Sequence, residues 1–393
     1  MKYPKLAYYY SHAALLLMNS FIAIVALNVL LYAAFLLKAR PVHQNVVEQK
    51  YGSKLLRVYP ELDATSINQL LSETWSRPFI YEPYVQFKEA PFKGKFVNVS
   101  EAGFRVSENQ GPWPPPSDAV IVFVFGGSTT FGYGLPDNET LASYLQDSLG
   151  RRIPRQVYIY NFAGGSYQSS QERILFQELL VRGLRPNMAI FIDGLNDFAF
   201  RHVPAYTEVL QRLFKPDHSP SWRDGVPLLV QDWPMARLAR GIRDRMRRTP
   251  LQPPQHVDSN IDEVADSVAR RYFANKREIE AIARDYAVQV VFVWQPIPFY
   301  KYDQRYHLFS REAGVNRYAS AGYERVRQIV EAEDEGPDFL WCADIQERIT
   351  EPLYVDYIHF TAAMSRRLAE YIGGLLTQRK LLPSEAATRS KRE

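Results

Sequence analysis

Hydrophobic and polar positions divide the chain into three regimes. From Ala13 to Leu37 (AALLLMNSFIAIVALNVLLYAAFLL) no residue is charged, and only Asn19, Ser20 and Asn28 are strongly polar. At ~1.5 Å per residue such a run crosses a hydrocarbon layer of about 30 Å with some tilt. Tyr8, Tyr9 and Tyr10 precede it and Tyr32 lies near its end, where aromatic belts form. The run is too long for the apolar core of a cleaved signal peptide, and no small-residue cleavage site with a polar start follows it. It also lacks the polar face of a soluble helix. We therefore expect a retained single-pass anchor over 13–37 behind a short tail, 1–12. Lys2 and Lys5 on one side are matched by Lys38, Arg40 and Lys50 on the other, so flanking charge does not fix its direction. A short tail before a large body is the arrangement of a signal anchor, which puts the body on the extracytoplasmic (periplasmic) side.

The second regime, 38–116, reads as a lead-in or linker. It holds a helical pattern at Ala64–Trp75, an extended aromatic stretch from Phe79 to Phe96, and a closing run, Pro112 to Pro116, that fits neither helix nor central strand. In the third regime, 117–380, continuous β-branched and aromatic runs occur at Ala119–Phe125, Val157–Tyr160, Met188–Ile192, Val288–Trp294 and Phe339–Trp341. Runs apolar on both faces suit strands covered on each side. Helical patterns alternate with them at Leu141–Leu149, Gln171–Arg182, Ile261–Tyr286, Tyr318–Ala332 and Ala362–Gln378. The alternation predicts an α/β fold, a three-layer αβα (flavodoxin-like), doubly wound and mostly parallel sheet. Residues about 200–258 break the rhythm as an insertion or cap rich in proline and arginine (Arg237, Arg240, Arg243, Arg245, Arg247, Arg248), read as a solvated face or a contact for anionic lipid or substrate. The polar end, 381–393, is expected to be disordered.

Composition narrows the classes. The chain has 393 residues, 46% of them apolar, which is globular rather than low-complexity. The formal charge of +4 gives no footprint for nucleic acid. A single cysteine, Cys342, excludes an intramolecular disulfide and a multi-cysteine zinc site, and reads as a buried apolar residue.

Ligands of open parallel sheets sit at the carboxyl ends of the strands, so candidate chemistry is sought just after each apolar run. The first run leads into Gly126-Gly127-Ser128-Thr129-Thr130-Phe131-Gly132, with neither a phosphate-loop lysine nor G-x-G-x-x-G spacing. The second leads into Asn161-Phe162-Ala163-Gly164-Gly165-Ser166, and the third into Asp193-Gly194-Leu195-Asn196-Asp197. A strand-end asparagine is either a turn residue or an amide donor for a developing oxyanion. Before the last helix stands Asp356-Tyr357-Ile358-His359. An Asp and a His three residues apart share one face of a turn. The histidine can serve there as base while the carboxylate fixes its tautomer, which is what a serine needs to become nucleophilic.

These four blocks, in this order, resemble the SGNH/GDSL hydrolase superfamily over about residues 95–380. The resemblance matches Ser128 to the nucleophile, Asn196 to the oxyanion asparagine, and Asp356 and His359 to the acid and base. It implies an oxyanion hole from the N–H groups of Ser128 and Ala163 with the Asn196 side chain. The usual Gly-Asp-Ser is Gly-Gly-Ser here. Ala163 stands where a glycine is expected, with Gly164 as the alternative alignment. The implied activity is serine-dependent ester hydrolysis without cofactor or metal, on a small-molecule, lipid or glycan ester. An acyltransferase using the same serine and a non-catalytic accessory protein of the same fold are the alternatives. At the same rim Gln295 is a candidate substrate contact. His202 reads as a surface residue, Asp193 and Asp197 as structural hydrogen-bonding groups, and Trp294, Tyr300 and Tyr302 as core aromatics or a sugar or acyl wall.

Overall fold

The computed structural model describes residues 4–38, 52, 54–200, 233–236, 238–239, 260–310, 317–333 and 335–383. The chain divides into two units, one of 1–42 with 209–257, the other of 43–208 with 258–393.

In the first unit, helix α1 (Pro4–Lys38) contains the stretch Tyr8–Phe35, which is long and apolar enough to cross a membrane by length and composition. Its polar interruption Asn28 has partners on both amide atoms. The amide donates to Ile24 O one turn back (2.9 Å), and Oδ1 accepts from the Met235 N–H (3.2 Å). The six insertion arginines lie outside the described residues, as do His202 and the tail from Ser384.

The second unit is built on five parallel strands: β5 (Val120–Gly126), β6 (Val157–Asn161), β7 (Met188–Asp193), β8 (Gln289–Trp294) and β9 (Phe339–Trp341), in the order β6-β5-β7-β8-β9. The period of two explains why these strands read as unbroken apolar runs. Val120, Val122 and Val124 of β5 face one layer, with α5 (Leu141–Gly150) and α10 (Ala362–Gln378). Ile121, Phe123 and Phe125 face the other, with α6 (Ser169–Val181), α7 (Leu195–Ala199), α8 (Ile261–Asp285) and α9 (Arg317–Ala332). Both faces being covered, neither can be polar. The predicted αβα architecture is therefore present, with each strand and helix within a few residues of its sequence pattern.

The lead-in is not a linker. It forms α2 (Lys54–Val58), α3 (Ala64–Trp75, capped by the Asp63 carboxylate) and two hairpins, β1 (Phe79–Glu82) with β2 (Gln86–Glu89) and β3 (Phe92–Lys93) with β4 (Asn98–Val99). From His43 on it belongs to the unit that contains the sheet. The boundary expected at 116–117 is thus corrected: Arg105 pairs with Asn161 at the end of β6, its N–H donating to Asn161 O (2.8 Å). Its guanidinium, fully buried, reaches Asp137 Oδ1 (2.8 Å), Leu135 O (2.8 Å) and Gly132 O (3.4 Å). Those carbonyls and that carboxylate belong to the turn that follows the short helix α4 (Ser128–Phe131). A charged lead-in residue therefore closes this turn. The apolar pattern concealed this, because the contact is made by one arginine across the sequence.

Arg105→Ala leaves Asp137, which keeps only its bonds from Asn98, and two carbonyls without that partner in a largely buried site. The expected loss is about 3–5 kcal/mol, the usual cost of breaking a buried pair. Denaturant unfolding checks it, and a loss below about 1 kcal/mol, as for an exposed pair, would contradict the account.

Candidate active site

Four strand-end loops meet at the carboxyl edge of the sheet. β5 turns at Gly127, where a side chain would run into the Asn196 amide, so a glycine is required for the approach. Ser128 then opens α4, leaving its hydroxyl at the rim. The loop before α10 is pinned by a backbone bond from Val355 N–H to His359 O (2.8 Å) and by the bridge between Tyr354 and Phe360. This turn brings Asp356 and His359 together. Asp356 Oδ1 accepts the N–H groups of Ile358 (2.9 Å) and His359 (2.8 Å), and Oδ2 meets His359 Nδ1 at 2.7 Å.

His359 Nε2 lies 2.9 Å from Ser128 Oγ. With Nδ1–H donating to the carboxylate, Nε2 is the acceptor for the serine hydroxyl. Burial alone would raise the Asp356 carboxyl. The adjacent imidazole and the bonds from His359 and Ile358 outweigh it and hold the group below its ordinary value, so it stays ionised. Three aromatic rings confine the imidazole: Tyr133 stacks on it (centroids 5.4 Å apart), Trp75 meets it edge-on (5.4 Å) and Tyr357 lies at 6.4 Å. Behind the same loop, His307 accepts the Phe309 N–H on Nδ1 (3.2 Å). Its other nitrogen is then the donor to Tyr357 O (3.2 Å), and burial lowers its pKa.

Ser128, Asn196 and His359 open on one cavity of ≈ 570 Å3, with Trp75, Arg77, Phe79 and Tyr133 among its walls. Asn196 donates one amide hydrogen to Tyr167 O (2.6 Å), which leaves the second for a ligand. Three sequence expectations are corrected. The Ala163 N–H is already spent on the Asn161 side chain (3.1 Å), which turns back to tie the loop to Thr130 O (3.0 Å). The Gly164 N–H is spent on Gly126 O (3.0 Å), and neither residue lines the cavity. Ser166 does line it, in the left-handed conformation (φ 64°), and its N–H has no partner among the described residues. Gln295 is buried, with Oε1 accepting from Thr129 Oγ1 (2.7 Å), so it supports the nucleophile turn and does not reach the cavity.

The remaining candidates pack as structural groups. Trp294, Tyr300, Tyr302 and Cys342 are buried in the two core layers. Asp197 accepts from Ser169 Oγ (2.6 Å), with Arg271 3.8 Å away. Asp193 and Glu172 are buried beside it. Burial first, and then the neighbouring carboxylates, raises both well above the ordinary carboxyl range. Neither Glu172 oxygen has a partner among the described residues unless the pair carries a proton, which then bonds it to Asp193. Among the described residues no cluster of His, Cys, Asp or Glu is placed to hold a metal ion. Burial thus favours the protonated form of this acid cluster, whose Asp193 and Asp197 flank the Asn196 loop.

No family model matches the sequence, and no curated protein matches it. Solved structures do. A GDSL-like lipase from Bacteroides thetaiotaomicron is 12% identical, over 69% of this chain and 94% of its own, at a TM-score of 0.35. The lipase Lip_vut3 from a goat rumen metagenome is 11% identical, over 65% and 97%, at 0.36. The psychrotrophic esterase EstA from Pseudoalteromonas sp. is 10% identical, over 67% and 100%, at 0.32. At these values no activity passes from them to this chain, and the chemistry rests on its own side chains.

Because the Glu172–Asp193 pair has raised values in the folded state, the unfolded chain ionises first. Stability should fall as pH rises from the unfolded carboxyl range, about 4, towards the folded values. Glu172→Gln should flatten this fall. Melting temperatures of both proteins between about pH 5 and 8 test it, and parallel slopes would refute the shared proton.

Proposed function

We propose that the protein is a serine-dependent ester hydrolase, held at a membrane by its single amino-terminal helix with the body on the extracytoplasmic side. The observation that carries this is the continuous line from Asp356 through His359 to Ser128, at 2.7 and 2.9 Å, ending in a cavity that also holds the Asn196 amide. Nucleophile, base and orienting carboxylate are within direct hydrogen-bond reach, as acyl transfer requires.

In this reading, the Ser128 oxygen bonds to the ester carbonyl carbon while its proton passes to His359 Nε2. The carbonyl oxygen becomes an oxyanion, held by the Ser128 N–H, the free hydrogen of the Asn196 amide and the Ser166 N–H. His359 gives its proton to the departing alkoxide, and the carbonyl reforms as an acyl-serine. A water then attacks that carbonyl carbon, losing a proton to His359, which returns it to Ser128 as the acid leaves. Asp356 stays ionised throughout and stabilises each imidazolium.

For the substrate we propose an acylated glycan or lipid at the cell surface. Two observations support a neutral, flat-faced alcohol portion. Trp75 and Tyr357, 48% and 37% exposed, both line the cavity and lie within 6.4 Å of the His359 ring. Arg77, the cation of the wall, is already neutralised by Glu89.

Ser128→Ala is expected to abolish both hydrolysis of a small chromogenic ester and labelling by a fluorophosphonate, with unfolding unchanged. Asn196→Ala should lower kcat by roughly 10²–10³. Equal turnover by purified Ser128→Ala protein would end this reading. Labelling of intact cells by a membrane-impermeant fluorophosphonate is expected, and labelling only after lysis would reverse the sidedness.

A further inference from the structure

Glu89, at the end of β2, is 2% exposed and does not line the cavity, yet it binds three residues that do. Its Oε2 meets Arg77 Nη2 at 3.2 Å. Its Oε1 accepts from Tyr133 Oη at 2.6 Å and from the Gly165 N–H at 3.1 Å. The three donors come from three places: the segment after α3, the turn after the nucleophile helix α4, and the loop after β6. A buried carboxylate would be costly without such partners, and these bonds make its position specific.

Each partner leads to a different part of the reacting line. Tyr133 lays its ring on the His359 imidazole, and burial, then the Glu89 charge, keeps its hydroxyl protonated and donating. Arg77 sits over one side of Phe131, the last residue of α4 (4.8 Å from ring centroid to guanidinium), and Arg105 is also within cation–π reach of that ring (5.0 Å). Gly165 immediately precedes Ser166, so anchoring its N–H fixes the Gly164–Gly165 peptide, one unit before the peptide that presents the Ser166 N–H. A side chain on Gly165 would strike the Tyr133 hydroxyl, which shows how closely the two are packed around the carboxylate.

We infer that Glu89 is a positioning residue that holds the Gly164–Gly165 peptide, next to Ser166, and Tyr133 in the geometry the serine chemistry needs. The inference rests on the ester-hydrolase reading for its kinetic consequence, but its structural half stands independently. It assigns a function to the lead-in, whose hairpin reaches into the sheet's carboxyl edge to set the spacing of two loops that the sheet alone leaves to their own turns.

The test combines kinetics with amide exchange on full-length Glu89→Gln and Glu89→Ala proteins. Displacing a reacting group by about 1 Å can cost on the order of 10² in rate. We expect Glu89→Ala to lower kcat on a chromogenic ester by roughly that factor with KM changed less than about threefold. Glu89→Gln, which keeps one acceptor oxygen and the shape, should be partly rescued. In both, amide exchange of residues 163–167 should accelerate, while β5 and β7 stay protected. If Glu89→Ala fails to fold, the Gln variant decides. Wild-type kcat in a folded variant, or a lowered kcat with unchanged exchange in 163–167, overturns the inference. A wild-type protein that neither hydrolyses esters nor labels at Ser128 defeats the hydrolase reading instead, and the exchange result still decides whether Glu89 positions the loop.

Discussion

The hydrogen bond between His359 and Ser128 joins residues 231 positions apart, and the rest of the second unit is arranged so that it can form. Neither partner brings the other. Ser128 is placed by β5, which is buried on both faces and cannot slide without exposing one of its two apolar sets. His359 is placed by a turn stapled to itself and followed by α10, whose apolar side packs on the same layer as Val120, Val122 and Val124. The contact therefore inherits its precision from core packing, where small displacements are costly.

A second constraint acts from outside the sheet. Buried charges are expensive unless paired, so Arg77–Glu89 and Arg105–Asp137 fix geometry more than they add stability. Both arginines come from the lead-in and both approach Phe131 within cation–π range. The nucleophile helix has only four residues, too few to hold itself by its own hydrogen bonds. Its rigidity is borrowed from these clamps.

How much could be read in advance follows from the range of the forces involved. The strands were legible because two-sided burial leaves continuous apolar runs, and Ala64–Trp75 because its residues follow a helical pattern. Asp356 and His359 were legible as a pair because three residues of one turn separate them. Ala163 was misassigned because the direction of a backbone N–H leaves no trace in residue type: the Asn161 side chain turned back to claim it. Gln295 was misassigned because Thr129, which occupies it, lies 166 residues away. Glu89 and Tyr133 gave no signal at all. Their partners meet only through the tertiary fold, and a glutamate at the end of a short hairpin strand looks like any solvated residue.

The paired arginines also bear on where this chain can be cut. A soluble fragment begun at the proline run would keep every strand of the main sheet and all four loop blocks, yet it would discard Trp75, Arg77, Glu89 and Arg105 together. Asp137, Tyr133 and Gly165 would then face water or one another with their partners gone. The smallest piece that preserves the reacting centre starts upstream of α2, whose Leu55 and Val58 pack with Leu135 and Val355.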